Sequence, residues 1–408
     1  MTRITLERRR GGTVTTPVGF LAAGIHAGIK QKRKRKYDAS LIVSEKPAIA
    51  AGTFTKNRAK AWPVMYSMKA IEGARHRAIL ASSGNANCFN GPEGQSAVLE
   101  SVETLARLLR VRPEEVLIAQ TGLIGVPFPI NRFKRALPKL AKRLSPDGGR
   151  QAAKGILTTD LRTKEVAVSF YLGRKRVTIG AIAKGAGMVH PQMATMLCFI
   201  TTDVRITKRL LRRALRRAVD ETFNQIAIDN DQSTNDTVLV LANGEAQNRT
   251  LTRVDRRYRL FRDALEEVSR YIAKELVRDG EGVTKVCTIH IGGAKRPTEA
   301  ERVARQIGTS MLFKTMLAGA DPNWGRLVAA IGASGVAFDP NRLDISFDGV
   351  SVLSHGKLKV RNLPRARRVL AKRGFDLAIG LGKGYARAEF ITSDLTPKYV
   401  LINSSYSS

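Results

Sequence analysis

Apolar residues recur along this chain with two different periods, and the periods separate strands from helices. Between positions 18 and 90, short apolar runs alternate with turns (LIVSE, AAGTFT, HRAILASSGNAN) and predict strands. SAVLESVETLARLLR, from Ser96, has the three-and-four spacing of an amphipathic helix that would lay its stripe on a sheet. EVAVSFYLGRKRVTIGAIAKG, from Glu165, holds two β-branched runs joined across Gly-Arg-Lys and predicts a hairpin. In KRLLRRALRR, from about Thr207, Leu210, Leu211, Ala214, Leu215 and Ala218 share one helical face, and the arginines fall on the other.

The strand TVLVLANG follows, then a long helix from about Arg256 to Val277 that stops at Gly280, then the strand KVCTIHIGG. PTEAERVARQIGTSMLFKTMLAG predicts a helix opened by a capping box, with Thr298 as N-cap and Glu301 at the third helical position. The tail from roughly 345 returns to short strands. Strands and helices are intermixed throughout, which predicts an α/β (α+β) protein of layered sheets and helices. At 408 residues the chain exceeds what one core usually serves, so two or three domains are expected. No low-complexity linker marks a boundary, and the strand order is not legible from the pattern.

Composition changes this picture in one respect. An apolar content of 43% with 25% charged residues describes an ordinary soluble globular protein. No run approaches the roughly 18 apolar residues of a membrane helix, and MTRITLERRRGG has no apolar stretch behind its basic residues, so neither a span nor a secretory signal is expected. Three widely separated cysteines, Cys88, Cys198 and Cys287, fit free thiols in a reducing, cytoplasmic setting. Five scattered histidines give no metal-ligand spacing. The outlier is charge: 69 Lys and Arg against 35 Asp and Glu, a formal +34. That balance raises a polyanionic partner. The positive residues are dispersed apart from Lys32–Lys36 and the helix after Thr207, and no aromatic interleaving accompanies them. A solvated helix face is therefore favoured over a nucleic-acid surface.

Candidate chemistry lies near the midpoint, in KGAGMVHPQMATMLCFITTD, residues 184–203. A glycine loop passes a proline and becomes a nearly unbroken apolar run with one hydroxyl, Thr195, behind the small Ala194. A threonine hydroxyl needs a base beside it to act as a nucleophile, and no Ser/His/Asp motif surrounds this one. Cleavage of the Ala194–Thr195 bond would create that base. The new α-amine would have a pKa of about 7.7–8.0, suited to general-base work near neutrality. The cut itself would need the same hydroxyl to attack the Ala194 carbonyl, with donors for the oxyanion. On its own, Thr195 reads more simply as a core-strand threonine.

The same segment closely resembles the self-cleavage segment of the glutamate N-acetyltransferase/ornithine acetyltransferase family of arginine biosynthesis. Further blocks resemble that family in its order: AGTFTKNRAKAWPV from Ala51, SSGNANCFNG from Ser82, QTGLIGVPFP from Gln120 and LTTD from Leu157. STNDT from Ser233, RDGEGVTK from Arg278, GADPNWGR from Gly319 and the terminal INSSYSS continue the series. Each block alone is a weak pattern, but together they span almost the whole chain. Two departures stand out. NDQSTNDT replaces the family's glycine-bearing DGDTSTNDT, and the chain ends Tyr-Ser-Ser where the family often ends Tyr-Thr-Thr, which keeps the hydroxyl.

The resemblance implies a two-domain, self-processing N-terminal-nucleophile-type acyltransferase. The precursor would cut itself between Ala194 and Thr195 into an α chain, 1–194, and a β chain, 195–408, with two of each assembling together. Thr195 would take acetyl from N2-acetyl-ornithine and pass it to glutamate in a ping-pong cycle without a cofactor. Some members also use acetyl-CoA as a donor. Thr121 and Gly122 match the family's oxyanion pair. Thr158 or Thr159, Lys184, Thr195, Glu281, Asn403 and Ser408 match its substrate contacts. Lysine suits substrates that carry carboxylates, and the glutamate suits an amino group. Asn85, Asn87, Asp321, Asn323 and Arg326 would be site scaffolding. The alternative activity is an N-terminal-threonine amidase or aminopeptidase, which would hand the acyl group to water instead.

Overall fold

The computed structural model describes residues 6–30, 36–190 and 196–405. Two sheets organise them. The first has nine strands. Its path runs Glu7–Arg8, Lys164–Leu172, Lys175–Lys184, Leu197–Thr202, Thr237–Ala242, Ala39–Phe54, His76–Asn85, Val116–Leu123, with Phe20–Ile25 also paired to Ala39–Phe54. Most neighbours are antiparallel; Leu197–Thr202 with Thr237–Ala242, and His76–Asn85 with Val116–Leu123, are parallel.

The LIVSE and AAGTFT runs, expected as separate strands, form one 16-residue strand, Ala39–Phe54. Its first part pairs with Phe20–Ile25 and His76–Asn85, and its second with Thr237–Ala242. Between them the register shifts, and Glu45, Lys46 and Pro47 are exposed. A bulge bends a strand and admits proline, so one strand serves two halves of a folded-over sheet.

The two halves face each other across a shared core that includes Ile42, Ala50, Ile79, Leu117, Phe199 and Leu239. The alternate residues Val238, Val240, Cys198 and Ile200 point outward to the helices Lys208–Glu221 and Arg256–Arg278. On the other half, Leu80 and Ile118 point out to Gly91–Leu109 and Ile130–Lys142. The result is four layers: helices, sheet, sheet, helices. Strands covered on both faces read as continuous apolar runs, which is why TVLVLA shows no polar alternation. Along Arg256–Arg278, burying Phe261, Leu265, Val268, Ile272 and Leu276 stabilises by about 1.5–3 kcal/mol each.

The second sheet has seven strands, in the order Lys357–Leu358, Val350–Ser354, Asp344–Phe347, Gly374–Gly380, Val286–Ala294, Ala386–Ser393, Ile226–Ala227. Helices Pro297–Gly308, Met311–Gly319, Trp324–Ala333 and Leu363–Leu370 cover it around Phe313, Leu327, Phe347 and Phe390. The expected capping box is displaced. Pro297 is itself in the first turn, Arg296 is the N-cap, and Glu299, not Glu301, accepts the Arg296 N–H at 3.3 Å. Proline's fixed φ suits the first helical turn, so the helix begins earlier than the threonine suggests. The predicted continuous helix also breaks after Gly308, where a Cβ would lie 2.4 Å from the Phe390 ring, and restarts behind the Ser310 cap. The tail ends in a helix, Pro397–Ser404, rather than a strand.

The arginine-rich helix is as predicted: Leu210, Leu211, Ala214, Leu215 and Ala218 are buried, while Arg209, Arg213, Arg216 and Arg217 are exposed. Of the Lys32–Lys36 run, only Lys36 lies within the described residues. Cys88, Cys198 and Cys287 are buried free thiols. Among the described residues no helix is long and apolar enough to cross a membrane.

Candidate active site

Two strands of the first sheet end side by side at the candidate site. Thr121 and Gly122 lie near the end of Val116–Leu123, and Lys184 ends Lys175–Lys184. Gly122 has φ +133°, and a Cβ there would sit 2.3 Å from the Gly84 carbonyl carbon. Only glycine fits that crossing, and it leaves the backbone free to approach a ligand. Lys184 is 4% exposed, and its Nζ reaches the Thr121 hydroxyl at 3.5 Å. Burial pushes the Lys184 ammonium below the usual lysine range, with the Asp160 carboxylate acting against it.

A buried ion cluster underlies these groups. Lys164 Nζ donates to Asp160 Oδ1 and to Asp279 Oδ2, each at 2.6 Å. Asp160 also accepts the Gly185 N–H at 2.8 Å and the Thr158 N–H at 2.9 Å. Burial pushes the Asp160 carboxyl up, but the Lys164 and Lys184 ammoniums and the hydrogen bonds outweigh it, and the group sits well below the usual carboxylate range. Of the two threonines in LTTD, Thr158 joins this network through its backbone and, at 3.4 Å, its hydroxyl. Lys30 enters from the other side, its Nζ donating to the Tyr37 carbonyl at 2.9 Å and the Leu157 carbonyl at 2.6 Å. Burial lowers its pKa to about 8.

The asparagine-rich blocks fasten the strand that carries Thr121 and Gly122. Asn235, of STND, donates to the Gln120 and Ala86 carbonyls at 2.8 and 2.7 Å. Asn87 donates to Gln120 Oε1 at 2.9 Å, and Asn85 caps the Val126 and Pro127 carbonyls. Asn85 and Asn87, expected as scaffolding, thus bind backbone and side-chain groups of neighbouring segments, and Asn235 joins them without having been singled out. Among the described residues Asp321, Asn323 and Arg326 make no hydrogen bond to this cluster; Arg326 binds the Leu312 carbonyl at 2.9 Å and the Thr315 hydroxyl, among the helices that cover the second sheet.

From the second half of the chain comes the opposite flank. The Glu281 N–H donates to the Ala186 carbonyl at 2.8 Å, and its carboxylate lies against Gly187, where a Cβ would be 2.6 Å from Oε2. Asn403, on the helix Pro397–Ser404, donates to Glu281 Oε2 at 2.9 Å. Thr159 is half-buried beside Thr158. Ala194, Thr195 and Ser408 lie outside the described residues.

What the described residues define is both margins of the segment 191–195. Upstream, Asp229 accepts the Met188 and Val189 N–H groups at 2.6 and 2.7 Å, and Met188 has φ +59°. Asn230 takes the place of the family's loop glycine with φ +71°, a conformation asparagine tolerates better than most residues, so the turn survives the substitution. Downstream, Asp236 Oδ1 accepts the Met196 N–H at 3.1 Å.

Asp160, Lys164, Asp279, Asp229, Asp236 and Lys30 had no role assigned from the sequence. Asp160 closes the LTTD block, and Asp236 sits in STNDT, so the blocks contained them; nothing in one sequence distinguishes a buried acid from a surface one. A cleft of about 830 Å3 lined by Arg162, Lys274, Arg278 and Arg373 lies nearby and includes none of Thr121, Gly122, Lys184 or Glu281. Among the described residues no group of three His, Cys, Asp or Glu side chains is placed to hold a metal ion.

The chain matches the model of the ArgJ family over residues 21–408. An arginine biosynthesis bifunctional protein ArgJ of Symbiobacterium thermophilum is 43% identical over 395 residues, covering 97% of this chain and 98% of the relative. Arginine biosynthesis bifunctional protein ArgJ 1 of Clostridium acetobutylicum is 41% identical over 408 residues, covering 99% of this chain and all of the relative. A crystal structure of arginine biosynthesis bifunctional protein ArgJ from Bacillus halodurans aligns with TM-score 0.50 at 38% identity, covering 51% of this chain and 98% of the solved one. With the family matched across nearly its full length and relatives this similar end to end, the chain belongs to the ArgJ family.

Proposed function

We propose that the protein transfers acetyl from N2-acetyl-ornithine to glutamate through an acetyl-Thr195 intermediate, after cutting its own chain between Ala194 and Thr195. As an ArgJ family member it is an acyltransferase of arginine biosynthesis. The observation that carries the finer reading is the arrangement around segment 191–195: Thr121, Gly122 and Lys184 on one wall, Glu281 and Asn403 on the other. In this reading the Thr121 hydroxyl and Gly122 N–H would receive the oxyanion. Lys184 would hold a substrate carboxylate and Glu281 an amino group, with Thr158 or Thr159, Asn403 and Ser408 completing the contacts. The Thr195 amine, once free, would take the hydroxyl proton as the hydroxyl oxygen attacks the acetyl carbon; ornithine would leave, and glutamate would then take the acetyl group. No cofactor is needed for either half-reaction.

Two chains, 1–194 and 195–408, are the expected mature form, assembled as two of each. A relative's solved chain that matches only about half of this one over nearly its own full length supports a two-chain product. The word bifunctional in the relatives' names supports acetyl-CoA as a second donor. A cytoplasmic location fits a biosynthetic enzyme of this kind.

The test is a denaturing gel of the wild type and Thr195→Ala. Two fragments from the wild type, one band from the variant and no acetyl transfer by the variant support the reading. A single full-length wild-type band with full transfer activity refutes the nucleophile. Ornithine release that does not depend on glutamate would favour the amidase or aminopeptidase alternative. Turnover with acetyl-CoA as sole donor decides the second activity.

A further inference from the structure

Lys30 is a half-buried cation beside the site that the proposed reaction does not use, and its place is closely fixed. Its backbone N–H donates to Asp38 Oδ2 at 3.1 Å. The same carboxylate, with no exposed surface, takes the Ile29 N–H at 2.8 Å and the Ala27 N–H. The Asp38 carbonyl in turn accepts the Ser83 N–H at 2.9 Å, one residue before Gly84. Segment 27–30 is therefore moored to two strands of the first sheet before its lysine side chain begins.

From that anchor the side chain meets two parts of the site. Its stem backs the glycine crossing. A Cβ on Gly84 would lie 2.7 Å from Lys30 Cγ, and a Cβ on Gly122 would lie 2.3 Å from the Gly84 carbonyl carbon. Lys30, Gly84 and Gly122 thus stack with no room for a methyl group at either contact. Its ammonium donates to the Leu157 carbonyl at 2.6 Å and the Tyr37 carbonyl at 2.9 Å. Leu157 precedes Thr158, whose N–H is held by Asp160, and Asp160 also holds the Gly185 N–H beside Lys184. Burial, helped by Lys36 and Lys184, lowers the Lys30 pKa to about 8, while Asp38 and Asp160 resist the fall, so the group is still mainly an ammonium near neutrality. Bonds from a charged donor are shorter and stronger than neutral ones, which suits a tie between segments far apart in sequence.

We propose that Lys30 is a positioning residue for acetyl transfer. It sets the Gly84–Gly122 crossing, and with it the Gly122 N–H, at a fixed separation from the LTTD block that carries Thr158. This rests on the reading of Thr121 and Gly122 as oxyanion donors. Lys30 makes and breaks no bond and touches no substrate; it acts through the backbone it holds. Donors aimed at a developing charge must keep their geometry to within about 0.5 Å, so loosening their backing costs rate rather than affinity. An oxyanion forms in both half-reactions, when the threonine takes the acetyl group and when glutamate removes it, so the two should depend on Lys30 alike.

Single-turnover kinetics of each half-reaction, with N2-acetyl-ornithine and then glutamate, test this on the self-cleaved protein. Lys30→Met keeps the unbranched stem against Gly84 and removes the ammonium. Both rate constants should fall by about 10-fold or more, a scale set by small misplacements remote from the chemistry. KM for either substrate should stay within about twofold of wild type. Rates within about twofold of wild type overturn the proposal even if the unfolding midpoint drops, since the lysine would then only hold the fold. A raised KM with unchanged rates also overturns it, by making Lys30 a carboxylate contact beside Lys184. Slowing of one half-reaction alone does the same, because one pair of donors serves both. If Lys30→Met does not fold or cleave, Lys30→Gln, one atom shorter and uncharged but still a donor, is read against the same limits. A Thr121→Ala protein with undiminished rates is a separate failure, that of the oxyanion reading.

Discussion

The two walls of the site are built by opposite means. On the sheet side, Lys164 and Asp160 have side chains with no exposed surface, and each charge there is met by a partner or a backbone N–H. On the other side, the helix Pro397–Ser404 that carries Asn403 has no buried residue. It is held by polar contacts: Thr396 hydroxyl to the Gly282 carbonyl at 2.7 Å, Tyr399 hydroxyl to Asp229, Asn403 to Glu281. Groups that must keep their geometry while charge develops belong on a wall that cannot rearrange. Groups that only recognise a ligand can sit on an element held by a few hydrogen bonds, since their free energy is spent on binding. The contrast makes separable predictions about stability and activity.

The largest effect is expected beneath the sheet wall. Lys164→Met leaves Asp160 and Asp279 facing each other's vicinity without their shared cation, and removing one partner of a buried pair costs about 3–5 kcal/mol. Chemical denaturation would measure it. The pH dependence has a definite sign. Asp160 has its folded pKa depressed, so its contribution to stability is fully present above its unfolded value of about 4 and is lost as the pH falls below that. Without Lys164 that acid limb should move to higher pH. A Lys164→Met protein as stable as wild type would mean that the cluster is no firmer than the exposed helix opposite.

Next comes Thr121, the proposed oxyanion donor. The Thr121 hydroxyl has one hydrogen-bond partner among the described residues, the distant Lys184 Nζ, so Thr121→Ala should scarcely affect folding. Loss of one such donor typically lowers kcat by about 10²–10³. Single-turnover acetylation of the mature protein would show it. A comparable fall in unfolding midpoint would instead make Thr121 part of the frame.

How far the sequence reached follows the same division. Elements whose faces are simple were readable: the Lys208–Glu221 helix shows its buried leucines and exposed arginines in sequence, and the hairpin at 164–184 shows its turn. The strand Ala39–Phe54 was read as two because a bulge with exposed Glu45, Lys46 and Pro47 looks like a loop from within one chain. The helix start at Pro297 was misplaced because the Thr298 and Glu301 spacing imitates a cap that proline's geometry overrides. For the site, Thr121, Gly122, Lys184, Glu281 and Asn403 were named by resemblance, and the geometry groups them. The buried acids were not, because a carboxylate gains its role from partners far off in sequence: Asp160 from Gly185, Asp279 from Lys164, Asp236 from Met196. Asp321, Asn323 and Arg326 show the complementary difficulty. A dense polar block looks the same whether it supports a site or ties Arg326 to the neighbouring helix.

The smallest effect is expected at the lightly held wall, where it is the most diagnostic. Asn403 is exposed, and its amide bonds Glu281 at 2.9 Å and the Tyr399 carbonyl at 3.1 Å. Truncation to alanine removes one charge-assisted hydrogen bond that water can partly replace, a net loss of about 0.5–1.5 kcal/mol. If Asn403 orients Glu281 for the substrate's amino group, that loss should appear as a KM for the acetylated amine raised by about 2- to 12-fold, with kcat nearly unchanged. The unfolding midpoint should stay where it is, because the helix buries no residue whose packing the change could disturb. A fall in kcat with KM unchanged would place Asn403 with the transition-state groups of the sheet wall. The recognition role would then have to come from Glu281 alone, and the difference between the two walls would be one of burial only, not of chemistry.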